Sequence, residues 1–319
     1  MAAQLPKLII VAGPTASGKT SFALALAQHL NAELINADSR QVVSGLDIGT
    51  NKESLTATGK TLDSDGRILR QFTVDDSQTR GWLYNIVSPD QKYDLQQFIT
   101  DAESVIGSVA AEHNLIVCGG TGLYIDALVK GYRLADAVPD TGLRKRLSGL
   151  NVSELQNELK TVDPQALAAS NDSDRVNPVR LIRLIEKAGK TELPPAAKYQ
   201  TVLLYPDYNR DDLFRTIETR AEKMFEQGFV SEVERLVSEG YADSPYLQGI
   251  GYRQVMSYLA GDLSYDEMRE QTAVAHRQYA TRQITWFESA GRGYKLRRVQ
   301  FTMAPERYLI SELKQWFDE

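Results

Sequence analysis

Residues 8–20, LIIVAGPTASGKT, join an apolar run to a glycine-rich loop, and a helix-forming segment, Ser21–Leu30, follows. A phosphate-binding P-loop requires strand, loop and helix in this order, because glycines let backbone N–H groups turn toward phosphate oxygens. The loop lysine adds a positive charge, and the threonine after it, Thr20, can reach a Mg²⁺ held by the same oxygens. The sequence therefore predicts a site for a di- or triphosphate. The loop consists of Gly13, Pro14, Thr15, Ala16, Ser17, Gly18, Lys19 and Thr20.

The composition is that of an ordinary soluble globular protein, with 319 residues, 42% of them hydrophobic and 24% charged. No apolar run is long enough to span a membrane, and the N-terminus lacks a signal-peptide pattern. The single cysteine, Cys118, lies in an apolar run and is predicted to be a packed strand residue rather than a nucleophile. We expect a cytoplasmic monomer without a membrane partner.

The distribution of charge is more informative than the net charge of −6. Residues 271–300 hold six basic residues and one acidic residue, a balance of +6 − 1 = +5. Residues 175–190 hold five basic residues and one acidic residue, a balance of +5 − 1 = +4. Two basic islands on an acidic chain indicate a localised contact with a polyanion, and solvated helix faces are the alternative.

The first 135 residues alternate strands with helices. Strands are predicted at Leu8–Ala12, Glu33–Ala37 and Leu115–Cys118, and a helix at Gln96–His113. This alternation predicts an α/β fold with a parallel sheet, helices on both faces and ligands at the carboxyl ends of the strands. The loops that follow the three strands should therefore meet in one crevice.

Three regions are predicted along the chain. A P-loop core spans residues 1–136, and an Asp65-Gly66 turn inside it indicates an exposed hairpin insertion at 52–80. Strand signals vanish in residues 137–198, which are predicted to form a helical insertion domain. Residues 199–319 return to the core with a strand at Thr201–Tyr205 and long helices at Asp211–Glu239 and Ser264–Ala290.

Two loops at strand ends contain candidate functional residues. Asp38 follows the second predicted strand. A P-loop NTPase has a metal-binding carboxylate at this place, and a small-molecule kinase has its general base there. The alternative is that Asp38 caps a helix. Gly119-Gly120-Thr121-Gly122 is a second glycine turn, whose N–H groups and Thr121 hydroxyl could hold a phosphate oxygen.

Two long helices contribute further candidates. Arg220 lies beside the apolar stripe of its helix, and an arginine near an inward face needs an anion, either a ligand phosphate or an internal ion pair. Gln278, Arg282 and Gln283 adjoin an apolar stripe with aromatic residues, an arrangement that suits contacts with phosphates and unstacked bases.

Taken together, the motifs resemble the tRNA dimethylallyltransferase (tRNA isopentenyltransferase) family, in the family's order and over most of the chain. The chain departs from the family's usual pattern at Val43, Gly81-Trp82, Asn85 and Thr216 and in the 52–80 insertion. The matching motifs are GPTASGKT at 13–20, DSRQV at 38–42, GLDIGT at 45–50, GGTGLY at 119–124, NPVRLIRLIE at 177–186, GIGYRQ at 249–254 and RQITWF at 282–287.

The resemblance implies transfer of a five-carbon prenyl group from dimethylallyl diphosphate to the exocyclic amine of the adenosine immediately 3′ of a tRNA anticodon. The P-loop would hold the leaving diphosphate rather than a nucleotide. Lys19, Thr121 and Arg220 would bind that diphosphate, with Mg²⁺ near Thr20. Asp38 would take the proton from the attacking amine. The implied catalytic residues are thus Asp38, Thr121 and Arg220.

The resemblance also implies contacts with the tRNA anticodon stem-loop. Gln41 would hold the adenine, which must be flipped into the crevice. The helical insertion would bind the anticodon loop, and Arg282, Gln283 and the loop around Gly249–Gln254 would contact the RNA from the other side. The implied tRNA-binding residues are Asp38, Ser39, Arg40, Gln41, Thr121, Arg144, Arg180, Arg183, Gly249, Tyr252, Arg253, Arg282 and Gln283.

Three alternatives remain open from the sequence. A small-molecule kinase would bind ATP at the P-loop and use Asp38 to activate a hydroxyl, but it gives the basic islands no role. An enzyme that prenylates free AMP would not need the helical insertion. A non-catalytic RNA-binding protein would retain the phosphate loop and yield no product with any donor.

Overall fold

A computed structural model of the chain describes residues 5–75, 77–132, 140–188 and 196–319. The chain folds into two units. The first consists of Met1–Lys130 with Ala197–Glu319, and the second of Gly131–Ala196. The predicted boundary between residues 136 and 137 lies outside the described residues.

An eight-stranded sheet forms the centre of the first unit, in the order β3-β4-β5-β2-β6-β1-β7-β8. The strands are β1 Lys7–Ala12, β2 Ala32–Asn36, β3 Leu55–Ser64, β4 Arg67–Val74, β5 Arg80–Trp82, β6 Asn114–Gly119, β7 Gln200–Pro206 and β8 Leu296–Val299.

The strands from β5 to β8 in this order run parallel, and β1 lies between β6 and β7. Ile10 faces Val117 on one side and Leu203 on the other. The buried apolar runs predicted as strands therefore form a parallel sheet, and the carboxyl ends of β1, β2 and β6 meet at one edge. The expected α/β fold is confirmed.

The helices of the first unit are α1 Lys19–Leu30, α2 Leu95–Val109, α3 Gly122–Lys130, α9 Arg210–Glu226, α10 Phe229–Leu236, α11 Tyr252–Leu259, α12 Tyr265–Glu288 and α13 Arg307–Asp318. Those of the second unit are α4 Thr141–Leu147, α5 Val152–Val162, α6 Pro164–Ala169, α7 Asp172–Arg175 and α8 Pro178–Lys187.

Helices cover both faces of the sheet. Ile9 and Val11 share a buried cluster with residues of α1 and α13. Successive side chains of a strand point to opposite faces, so the equally buried Leu8 and Ile10 face the other side. There α2 and α3 contact β6 and β1, and the ring of Phe98 stacks on that of Tyr124 with centroids 3.9 Å apart.

The helix predicted over Asp211–Glu239 is two helices. Gly228 separates α9 from α10 with φ of 96°, a left-handed conformation that favours glycine and ends a right-handed helix. The apolar spacing continues across the break, which is why the sequence pattern predicted one element. The segment Gly249–Gln254, expected to be a loop, is helical from Tyr252 onward, because α11 begins there.

The hairpin predicted in residues 52–80 is formed by β3 and β4, which pair antiparallel around Asp65 and Gly66. Both turn residues have positive φ, as a tight hairpin turn requires. The hairpin is part of the sheet rather than an exposed appendage, since β4 also pairs with β5. Leu69, Phe72 and Val74 on β4 are accordingly buried. The pairing of β3 with β4 shifts register between Ala57 and Thr61.

The second unit is helical in its described residues and has a core of its own. Asn151 and Asn177 cap α5 and α8 by accepting backbone N–H groups of the first turn. The core side chains are Leu147, Leu155, Leu159, Leu181 and Ile185.

No helix in the described parts of the chain is long and apolar enough to cross a membrane.

Candidate active site

The P-loop joins β1 to α1 in a conformation that its small residues allow. Gly13, Ala16 and Gly18 have φ of 150°, 64° and 78°. A side chain at Gly13 would place Cβ 2.6 Å from Cδ of Pro206, so only glycine fits there. α1 begins at Lys19, and the N–H groups of its first turn lack partners within the helix. The loop therefore presents a helix N-terminus suited to an anion.

A cavity of about 600 Å³ opens in front of this loop, and we call it the main cavity. Among the residues that line it are 15–20 of the P-loop, Asp38, Gln41, Glu53, Arg220 and Gln283. The structure thus brings together the P-loop, the loop after β2 and one face of α9. The threonine predicted to bind the metal, Thr20, is part of the lining.

Burial changes the acidity of two groups beside Thr20. Lys19 donates from Nζ to the carbonyl oxygen of Pro14 at 2.6 Å. Burial lowers the pKa of Lys19 to about 8, although Cys118 and Asp38 act against the shift. Burial also raises the pKa of the Cys118 thiol to about 12, which agrees with the prediction that Cys118 is a packed strand residue.

Arg220 faces the main cavity from α9. Within the described residues, no acidic side chain lies within ion-pair distance of its guanidinium. Burial lowers the pKa of Arg220 to about 10, with Asp38 and Glu53 acting against the shift. No internal ion pair of Arg220 is therefore found among the described residues, which favours the ligand anion that the sequence left as the other possibility.

Asp38 holds a turn at the end of β2. Its Oδ1 accepts the backbone N–H of Arg40 at 2.8 Å, and its own N–H donates to Oδ1 of Asn36 at 3.1 Å. The next helix in the described chain is α2, so Asp38 is not a helix cap. Oδ2 has no hydrogen-bond donor among the described residues, which leaves it able to accept a proton.

Thr121 ties the second glycine loop to the Asp38 loop. Its Oγ1 accepts the backbone N–H of Ser39 at 2.9 Å, and its own N–H donates to the carbonyl oxygen of Ala37 at 3.2 Å. The next residue, Gly122, must be small, because a Cβ there would lie 2.3 Å from Cδ1 of Trp286. Thr121 is thus hydrogen-bonded to the residues on either side of Asp38, and its expected contact with diphosphate stays a prediction.

Gln283 links the two glycine loops. Its Oε1 accepts the backbone N–H of Thr15 at 2.7 Å, and its Nε2 donates to the carbonyl oxygen of Gly120 at 2.9 Å. The residue is only 5% exposed. The expectation that Gln283 contacts RNA is thus corrected, because both ends of its amide are used inside the protein.

Tyr252 is likewise an internal residue. It is 2% exposed, and its hydroxyl donates to Oε1 of Glu232 at 2.6 Å, so the hydroxyl is used inside the protein and a contact with RNA stays a prediction for the ring alone. Glu232 also accepts the backbone N–H groups of Asp47, Ile48 and Gly49 at 2.9, 2.6 and 3.1 Å. This carboxylate holds the GLDIGT loop.

That loop in turn positions Gln41. Nε2 of Gln41 donates to the carbonyl oxygens of Thr50 at 3.4 Å and Asn51 at 3.3 Å. Gln41 lines the main cavity together with both of these residues. Its amide is therefore oriented by the loop that Glu232 holds.

The other residues expected to contact RNA from the first unit differ in exposure. Arg40, Arg253 and Arg282 are exposed, and Gly249 is buried. The guanidinium of Arg40 lies 5.5 Å from the ring centroid of Tyr246, and that of Arg282 lies 5.9 Å from the ring centroid of Tyr279.

The basic island at 271–300 is mostly neutralised by ion pairs within the first unit. Arg292 pairs with Asp126 at 2.5 Å, and Arg298 with Glu288 at 3.1 Å. Only Glu288 belongs to the same stretch of sequence, so the local balance of +5 overstates the charge presented to a partner. The other two pairs are Arg277 with Glu218, and Arg297 with Glu312 at 2.5 Å.

The arginines expected to bind RNA from the second unit also form ion pairs. Arg144 donates from Nε and a terminal nitrogen to the Glu186 carboxylate at 2.5 and 2.7 Å, and Arg183 lies 3.3 Å from the same carboxylate. Burial raises the pKa of Glu186, but the hydrogen bonds from Arg144 and Arg183 outweigh it, and the pKa is lowered. Arg180 pairs with Asp174 at 2.5 Å.

Sequence reasoning missed several residues of the site. Glu53 lines the main cavity, and Glu232 holds the loop beside it. Tyr279, on the aromatic stripe of α12, is half-buried near Asp38; desolvation and that carboxylate raise its pKa. The spacing of Tyr279 and Gln283, four residues apart on α12, could have shown that both face the site.

The P-loop, the carboxylate after β2 and the unpaired arginine on α9 define a phosphate-binding P-loop protein of the α/β class. Residues 68–290 match the model of the IPP transferase family. The chain is 36% identical to a tRNA dimethylallyltransferase of Synechococcus sp. (strain RCC307), over 89% of this chain and 91% of the relative. It is 31% identical to that of Acetivibrio thermocellus, over 98% of this chain and 97% of the relative. The chain therefore belongs to the IPP transferase family.

Solved structures resemble the fold over almost the whole chain. The tRNA isopentenylpyrophosphate transferase of Bacillus halodurans is 28% identical, with a TM-score of 0.66 over 98% of this chain and 96% of that one. A eukaryotic dimethylallyltransferase acting on tRNA shares the fold at 22% identity, with a TM-score of 0.76 over 98% of this chain and 75% of that one.

Proposed function

We propose that this protein transfers the dimethylallyl group of dimethylallyl diphosphate to the exocyclic amine of the adenosine 3′ of the anticodon in tRNA, and releases diphosphate. Family membership and the names of the relatives support the reaction class. The observation that carries the proposal is that the P-loop, the unpaired Arg220 and the Asp38 carboxylate all face the main cavity.

The reaction forms one C–N bond and breaks one C–O bond. The adenosine amine attacks the first carbon of the prenyl group, and the electron pair of the breaking bond leaves with the diphosphate. Oδ2 of Asp38 accepts the proton that the amine loses. Lys19, Arg220 and the P-loop N–H groups stabilise the charge that develops on the leaving group, and Thr121 would donate its hydroxyl to the same group.

Mg²⁺ fits the donor atoms of the main cavity. The Thr20 hydroxyl and the Glu53 carboxylate are oxygen ligands, the type that Mg²⁺ prefers together with phosphate oxygens. Glu53 has no hydrogen-bond or ion-pair partner among the described residues, so its carboxylate is available. We assign Thr20 as the residue that would hold the ion, which would neutralise part of the diphosphate charge when bound.

The acceptor tRNA would be bound by exposed arginines of both units. Arg40, Arg253 and Arg282 of the first unit, and the partly exposed Arg144, Arg180 and Arg183 of the second, supply the cations that contact phosphates. We further propose that the enzyme acts as a cytoplasmic monomer.

The proposal is tested by mass spectrometry of the nucleosides from tRNA incubated with the protein, Mg²⁺ and labelled dimethylallyl diphosphate. We expect label on one adenosine next to the anticodon, with release of diphosphate. Two parallel reactions test the alternatives. One offers AMP as the acceptor of the labelled prenyl group, and the other offers ATP as phosphate donor with small metabolites as acceptors. Label on AMP alone, phosphorylation of a metabolite, or tRNA binding without product would each contradict the proposal.

A further inference from the structure

A second cavity, of about 160 Å³, adjoins the main cavity, and we call it the side cavity. The two cavities share Thr15, Asp38, Thr50 and Arg220 in their walls. The remaining wall of the side cavity includes Arg40, Gly49, Ile250, Tyr252, His276 and Tyr279. A ligand with one end at Asp38 can therefore extend either toward the P-loop or into the side cavity.

His276 is a polar residue of this wall to which the proposed reaction gives no role. It is 5% exposed, and its imidazole has no hydrogen-bond partner among the described residues. Burial lowers the pKa of His276 to about 3, and the nearby positive charge of Arg220 acts in the same direction. The ring is therefore neutral at physiological pH, with one nitrogen as donor and the other as acceptor.

The chemistry of this wall favours a planar polar ring as ligand. A side cavity of about 160 Å³ is smaller than the roughly 300–1,000 Å³ of sites for drug-sized molecules, so it accepts one small ring system. Tyr252 and Tyr279 supply aromatic walls, and a nucleobase carries donors and acceptors on its edge. An alkyl tail in the same place would leave the imidazole of His276 without a partner, which costs free energy.

We propose that His276 is a substrate-binding residue whose neutral imidazole hydrogen-bonds the acceptor base in the side cavity. The exocyclic amine of that base is then presented to Asp38, while the diphosphate occupies the P-loop in the main cavity. This inference rests on the proposed transfer to adenosine. It assigns the base to the side cavity and the prenyl diphosphate to the main cavity.

Kinetics of two variants test the assignment. His276→Leu removes the hydrogen bond, and we expect kcat/KM for an anticodon stem-loop to fall about 10- to 100-fold while KM for dimethylallyl diphosphate stays unchanged. His276→Gln keeps a donor and an acceptor and should restore most of the loss. The matched control is His29→Leu, a substitution at an exposed histidine, which should change neither value. Unchanged kinetics of His276→Leu, or an equal loss for both substrates, would overturn the proposal.

A binding assay separates this inference from the proposed reaction. A stem-loop with 2-aminopurine at the acceptor position cannot be prenylated on a 6-amino group, and its fluorescence reports whether the base leaves its stack. We expect the wild-type protein and His276→Gln to raise the fluorescence, and His276→Leu to raise it only at about tenfold higher protein concentration. Transfer by the wild type combined with identical titrations of all variants would refute the role of His276 alone. Absence of transfer by the wild type would refute the proposed function itself.

Discussion

The hydroxyl of Tyr252 donates to Oε1 of Glu232 at 2.6 Å, and this pair fixes the loop that borders both cavities. Oε2 of the same carboxylate accepts the N–H groups of Asp47 and Ile48, and Oε1 also accepts that of Gly49. Four donors therefore surround one buried carboxylate. Since Gly49 and Thr50 belong to the wall of the side cavity, Glu232 acts on the site without touching a substrate.

Replacing Glu232 by Gln should destabilise the protein. One carboxylate oxygen becomes an NH₂ donor that faces other donors, so we expect a loss of about 1–3 kcal/mol in the free energy of unfolding, measured with urea. The control is Glu234→Gln, at an exposed position of the same helix. This variant should change the free energy of unfolding by less than about 0.5 kcal/mol. Equal stability of both variants would show that the loop does not depend on this carboxylate.

Replacing Asp38 by Asn should remove the general base and keep the turn. The Asn Oδ1 can still accept the N–H of Arg40, so the melting temperature should stay unchanged while kcat falls about 10²–10⁴-fold. Single-turnover transfer to a stem-loop measures the chemical step. The control Asp65→Asn lies in the hairpin turn, where positive φ suits Asn, and should retain full activity. An Asp38→Asn variant as fast as the wild type would exclude Asp38 as the base.

Replacing Arg220 by Met should weaken diphosphate binding without lowering stability. The guanidinium is half-buried and has no acidic side chain within ion-pair distance among the described residues, so an apolar side chain removes a charge that no ion pair compensates. We expect calorimetry to show roughly 10- to 100-fold weaker binding of inorganic pyrophosphate, with a melting temperature equal to or above that of the wild type. Arg269→Met, which removes a surface ion pair with Glu222, serves as control and should bind pyrophosphate normally. A marked drop in melting temperature for Arg220→Met would instead indicate a structural role.

The pH dependence of donor use should follow Lys19. Its pKa is lowered to about 8 by burial, so the ammonium that binds diphosphate is lost from the free enzyme as pH rises through this value. Because kcat/KM reports the free enzyme, its value for dimethylallyl diphosphate should fall above pH 8. In Lys19→Arg the cation persists over the same range, and the decline should disappear. A wild-type profile that stays flat up to pH 9.5 would contradict this role.

Local patterns were sufficient to predict the parallel sheet and the loops at its edge. Apolar runs such as Leu8–Ala12 form strands that are buried on both faces, and glycines mark the turns that follow them. The break at Gly228 was not predicted, because the apolar spacing on both sides of it fits a single helix.

The rest of the site depends on hydrogen bonds and ion pairs between residues that lie far apart in sequence. Gln283 reaches Thr15 across 268 positions, and Glu232 reaches Asp47 across 185. A glutamine on a helix looks like a surface residue until the backbone groups that it binds are known. The charge of the 271–300 island was overestimated for the same reason, since acids elsewhere in the chain, such as Asp126, neutralise it.

The register shift in β3 affects whether two molecules can associate through the edge of the sheet. An outer strand exposes unpaired backbone groups that can template the addition of a strand from another chain. In β3, Gly59 with φ of 87° and the exposed Lys60 lie between the two registers and interrupt that row. An irregular register and a lysine on an outer strand are devices that oppose edge-to-edge aggregation, so this end of the sheet resists the addition of strands from other molecules.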